Sequence, residues 1–160
     1  MTRLYGRAPR GERIYEYVPD ARYKRVSVLS TIRVNGESNP FVYSGTLNGF
    51  LFAQYIWECV VPTLKPYDIL IMDCLSSHTM KIISEMVESV GANVVYLPPY
   101  SPDFNPIETI FAQIKDDLRS QKPRSVEAIC DSLSYAFYSL TPEQLQNHFT
   151  NAIYDICHQP

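Results

Sequence analysis

The sequence predicts an α/β domain, and three observations carry that reading. Residues 68–73 (DILIMD) and 93–97 (NVVYL) are short, nearly continuous apolar runs. Runs of this length without alternation belong to strands covered on both faces, as parallel strands are. Between them Ile82, Ile83, Met86, Val87 and Val90 recur at helical spacing, with Gly91 as a stop. Strand, helix, strand, helix in that order marks a layered α/β architecture.

The other elements follow in chain order. Residues 1–13 hold four arginines among Gly6, Pro9 and Gly11 and read as loop. Val26 to Val34 alternates, with Val26, Val28, Ile32 and Val34 on one face and Ser30 as the exception. Asn35-Gly36 is a hairpin turn signal, and Phe41 to Tyr43 reads as the returning strand. Phe50, Ala53, Trp57, Val60 and Val61 predict a helix over about 48–61 that ends before Pro62. Beyond Pro98-Pro99, Asn105 caps a helix with Pro106 in its first position and Glu108 where a capping box places an acid. Ile107, Ile110, Phe111, Ile114 and Leu118 form its buried face. Two more helices are expected near 125–138 and 142–156, the second opened by a Thr141–Gln144 capping box.

Composition narrows the class. A chain of 160 residues, 46% hydrophobic, is one domain with enough apolar material for a core without staples. Disorder and collagen are excluded, no apolar run reaches a membrane span, and the N-terminus lacks the apolar stretch of a secretory signal. Four cysteines without Cys-x-x-Cys or zinc spacing read as reduced thiols of a cytoplasmic protein. Charge is uneven. Residues 1–25 carry seven bases against three acids, and the remainder seven bases against fourteen acids. A basic arm on an acidic body suits a polyanion.

Two acids stand where chemistry is expected. Asp73 ends a buried strand, and ligands of open α/β sheets bind outside the carboxyl ends of strands. Glu108 lies in the first helical turn after the next strand, with 34 residues between the two acids. Carboxylates on one rim are what divalent metals need to drive in-line attack on a phosphodiester. On a helical wheel Lys115 and Arg119 fall within about 40° of each other, on the flank that carries Glu108.

The strings LPPYSPDFNPIE (97–108) and ILIMDCLSSH (69–78) resemble the third and second acidic motifs of DDE transposases, most nearly those of bacterial mariner-like insertion sequences. RLYGRAPRGER (3–13) resembles the loop after the first acidic motif, and residues 124–156 the C-terminal helices. The resemblance implies an RNase H-like mixed sheet flanked by helices. It also implies two Mg²⁺ or Mn²⁺ ions, an Asp-Asp-Glu triad with Asp73 and Glu108 as second and third acids, and DNA partners, namely transposon ends and target.

Under it residues 1–25 are a basic arm or loop, 26–123 the core and 124–160 the C-terminal helices. Arg7, Arg10, Lys115 and Arg119 are expected to contact DNA; His78, Tyr100, Ser101 and Asn105 to shape the site. Two departures are expected to matter. Cys74 stands where the family has Asn, and the first acid, its central strand and the helix-turn-helix region have no counterpart from Met1 onward. The expected function is a transposase catalytic domain, incomplete for want of the first Asp and prone to pair with itself or with full-length transposase. The alternatives are an inactive remnant that inhibits by binding DNA or transposase, and a metal-dependent nuclease of similar fold.

Overall fold

In the computed structural model, residues 7–15, 26–75, 81–123, 125–152 and 154 are described. His78 and the one early acid candidate for the triad, Asp20, lie outside them. Strand β1 (Val26–Leu29) pairs antiparallel with β2 (Phe41–Ser44), setting Val28 opposite Val42. The strand stops well short of the predicted Val34. Ser30 interrupts the alternation, and its hydroxyl donates to the Thr31 carbonyl at 3.0 Å. Pairing resumes only as the single bridge Ile32–Ser38. The Asn35-Gly36 turn forms as expected, with Gly36 at φ 102° and its N–H on the Arg33 carbonyl at 3.1 Å.

Helix α1 (Gly49–Tyr55) is capped by Asn48, which accepts from the Leu51 N–H at 2.8 Å. The winding continues past the predicted end. A π-turn over Ile56–Val60 leads into a 3₁₀ turn over Val61–Thr63 that contains Pro62. Pro62 has no N–H for an α-helical bond, and the Val61 N–H reaches five residues back to Ile56. The extra residue also corrects the predicted face. Read back at α spacing, Val60 and Val61 put the apolar stripe on Phe50 and Trp57. The π-turn keeps the expected Ala53, Val60 and Val61 in the core but rotates the rest of the stripe onto Phe52, Tyr55 and Ile56, and Phe50 and Trp57 stay 80% and 55% exposed.

Strands β3 (Ile69–Met72) and β4 (Asn93–Tyr96) are parallel, Met72 opposite Tyr96. The expected burial on both faces holds on one. Leu70, Met72, Val94 and Tyr96 pack inward, whereas Ile69 is 61% exposed and Val95 also faces outward. Helix α2 (Lys81–Glu88) links the pair, with Ile83 and Val87 fully buried and Ile82 outside. Gly91 sits at φ 79°, in the left-handed region that glycine takes without strain, so the turn favours glycine there.

Helices α3 (Pro106–Gln121), α4 (Val126–Tyr138) and α5 (Pro142–Asn151) complete the chain. The Thr141–Gln144 capping box is present. Helix α5 ends short of residue 156, where the Tyr154 N–H folds back to the Phe149 carbonyl at 3.1 Å. One core gathers α1, the π-turn, α2, the inner face of β3–β4 and Leu29 and Phe41 of the hairpin. The second gathers Ile110, Ile114 and Leu118 of α3 with α4 and α5, against Val28, Ile32 and Val42. The hairpin is thus a layer with helices on both sides. Among the described residues no ladder joins β1 to β3, and no helix is long and apolar enough to cross a membrane.

Arg33 binds the two strand pairs at one end. Its guanidinium donates to Asp68 at 2.5 Å and to the Thr63 carbonyl at 2.9 Å. The Arg33 hydrogen bond, helped by the Lys65 N–H, holds the Asp68 carboxyl below its usual range. A lowered folded value stabilises above the unfolded value of about 3.8 and is lost as pH falls through the folded one. We expect Asp68→Asn to cost about 1 kcal/mol at pH 7, the pair being partly exposed. Urea melts of both proteins should converge as pH falls through the lowered folded value of Asp68.

Candidate active site

Parallel pairing brings the exits of β3 and β4 to one rim. Asp73 follows Met72 directly and is half-buried; the Leu97 N–H donates to the Met72 carbonyl at 2.8 Å and carries the second strand to the same level. From there Pro98, Pro99, Pro102 and Pro106 restrict the backbone up to α3. Tyr100 sits in the left-handed region at φ 58° with its ring fully exposed. For a residue with a Cβ this costs on the order of 1 kcal/mol, and such outliers gather at functional loops. The Ser101 hydroxyl donates to the Pro99 carbonyl at 3.3 Å, so Ser101 shapes the loop from within.

Asn105 joins the two acids' elements. Its Oδ1 accepts from the Ile107 N–H at 3.3 Å, capping α3, and its Nδ2 donates to Asp73 Oδ1 at 2.5 Å. One planar amide therefore fixes the strand-end carboxylate against the first turn that carries Glu108. The predicted capping box is absent. The 3₁₀ turn Pro102–Phe104 already takes the Asn105 N–H on the Pro102 carbonyl at 2.9 Å. Glu108 is consequently exposed and has no partner among the described residues, at the positive end of the helix dipole.

The remaining expected residues are less gathered. Lys115 is exposed farther along α3, and Arg119 donates to Asp116 at 2.8 Å, which offsets its charge. Arg7 and Arg10 are exposed in the described part of the arm. Cys74 is an exposed free thiol beside Asp73. Among the described residues no group of three His, Cys, Asp or Glu side chains is set to hold a metal.

Three residues were not visible in the sequence. Thr109 Oγ1 lies 2.8 Å from His148 Nδ1, and the Tyr154 hydroxyl donates to the Phe104 carbonyl at 2.9 Å. These partners are 39 and 50 residues apart, and nothing in the local pattern of α5 announces them.

The Asn105 bridge predicts two responses that differ in their pH dependence. Asn105→Ala loses the cap and the Asp73 bond and should cost about 1–2 kcal/mol in chemical denaturation. Asn105→Asp keeps a good cap but sets a carboxylate on Asp73. Mutual repulsion raises the pair's folded titration, so the variant should be weakened at pH 7 and recover as pH falls through the carboxylate range.

A family model described as DDE superfamily endonuclease matches residues 1–130. Among solved structures, the Mos1 strand transfer complex aligns with TM-score 0.71 and 17% identity, covering 95% of this chain and 47% of that one. The catalytic domain of Mos1 mariner transposase aligns with TM-score 0.58 and 17% identity, covering 79% and 74%. A pre-cleavage Mos1 transpososome aligns with TM-score 0.63 and 15% identity, covering 98% and 52%. The chain thus spans about half the length of the first of these, and at such identities the likeness is one of fold, the RNase H-like fold. A comparison with curated protein sequences gave no match. With most of its length matched by that family model, the chain belongs to the DDE superfamily endonucleases.

Proposed function

We propose that this chain is a transposase catalytic domain that cuts DNA and transfers strands, with Asp73 and Glu108 as the second and third acids of its triad. The observation that carries this reading is the Asn105 amide, which ties Asp73 to the first turn of α3 at the common exit of two parallel strands. The donor chemistry fits the metals expected. Asp73 and Glu108 are hard oxygen donors of the kind Mg²⁺ and Mn²⁺ take. When bound, such ions activate the attacking oxygen and stabilise the leaving one. The chain's own part is to hold and orient: Asn105 fixes the Asp73 carboxylate, and the short proline-rich loop limits how far Glu108 can stray.

Residues 26–123 would form the core, 124–160 the C-terminal helices, and 1–25 a basic arm. Exposed Arg7, Arg10 and Lys115 would contact phosphates, with Arg119 contributing less because Asp116 shares its charge. DNA ends and further transposase copies are the proposed partners, since the matched structures include a Mos1 strand transfer complex and a transpososome. The proposed place of action is the bacterial cytoplasm, on DNA. A second reading is a DNA-binding inhibitor that does not cut.

The test is cleavage of duplex DNA with Mn²⁺. Activity that falls at least a hundredfold in both Asp73→Asn and Glu108→Gln supports the catalytic reading; activity indifferent to both overturns the site. DNA binding without cleavage at any metal concentration selects the inhibitor. Replacing both Arg7 and Arg10 with Ala should lower the slope of log affinity against log salt by about 2, measured by fluorescence anisotropy.

A further inference from the structure

The residues that present Glu108 are gripped from both sides by the end of the chain. On one side the Tyr154 hydroxyl donates to the carbonyl of Phe104, the peptide unit directly before Asn105. On the other side His148 Nδ1 meets the hydroxyl of Thr109, the residue directly after Glu108. The Thr109 hydroxyl has one proton and donates it to the Pro106 carbonyl at 2.8 Å. Toward His148 it therefore accepts, and Nδ1 carries the proton. One contact fixes the peptide plane that sets the Asn105 backbone; the other fixes the first turn of α3.

Neither contact is needed merely to hold α5 in place. Leu145 is 1% exposed and already buries α5 in the second core with Ile110 and Ile114 of α3. The Tyr154 ring is itself set by edge contact with Phe149, ring centres 6.2 Å apart. The polar contacts add direction rather than burial, and both land within one residue of Asn105 or Glu108.

We propose that the last turn of α5 and the tyrosine beyond it form a clamp on the 104–109 segment, with His148 and Tyr154 as positioning residues for the carboxylate rim. This rests on the metal-binding role proposed above for Asp73 and Glu108. Neither residue would touch metal or DNA; each would act by limiting the spread of Asn105 and Glu108 positions, which raises affinity for a divalent ion by cutting the ordering it demands.

The experiment is Mn²⁺ binding to the full 160-residue chain, read from the electron paramagnetic resonance of free Mn²⁺. Glu108→Gln is the control for the site. His148→Ala and Tyr154→Phe should each weaken binding about tenfold, the low end for removing a partner that orients a metal ligand. His148→Asn should bind like wild type, since an Asn amide reaches the position of Nδ1. Hydrogen exchange at the Ile107 amide, bonded to Asn105, should quicken in the two weakening variants while α4 exchanges unchanged. If both variants bind as wild type while Glu108→Gln does not, the clamp is overturned and the metal role stands. If Glu108→Gln binds as wild type, the metal role falls and the clamp with it. Should the Ala variant not fold, Tyr154→Phe, which keeps its ring, decides the matter by the same two readings.

Discussion

The hydrogen bond between the Asn105 amide and Asp73 is the constraint on which the rim depends. A strand end and a helix start, 32 residues apart, are joined by a single side chain that serves both. Its oxygen accepts at the helix start and its nitrogen donates to the carboxylate. The larger architecture makes this bond reachable. Parallel pairing of β3 and β4 sets both exits at one level, α2 supplies the crossover, and Arg33 pins the opposite end of β3 through Asp68. The hairpin, covered by helices on both faces, joins the two cores.

What was legible in the sequence is what local chemistry decides. The Asn105 cap, the Pro106 start, the Asn35-Gly36 turn and the Thr141 box are written within three or four residues, and each forms or nearly forms. The buried stripe of α3 was legible because Ile110, Ile114 and Leu118 keep α-helical spacing. The face of the helix near residue 50 was not. Its periodicity changes partway along, and a stripe read at one period across a π-turn points to the wrong side. The Glu108 capping box failed for a related reason: a preceding 3₁₀ turn satisfied the N–H that the glutamate would have reached. His148 and Tyr154 were invisible because each is a lone polar group whose partner lies far away in sequence.

The loss of the capping box has a chemical side. A glutamate that folds back onto its own helix start is occupied; one that does not keeps its oxygens available at the rim. The strained Tyr100 and the four prolines around it shorten the excursions of the loop without using the carboxylate to do so. Charge points the same way. The acidic body would repel a polyanion over most of its surface, so on the proposed reading the approach of DNA to these acids would depend on the basic groups of the arm and of α3 and on bound cations.

The π-turn at Ile56–Val60 carries a consequence for how this region can change over generations. It holds one residue more than the α-turn it replaces. Loss of any one residue there would restore regular winding. It would also swing Asn48 through Tyr55 by about 100° relative to Val60 and Val61. That would take Phe52 out of the core and press Phe50 toward it. In this segment the number of residues between the Asn48 cap and Pro62 therefore matters to the packing as much as their identities do.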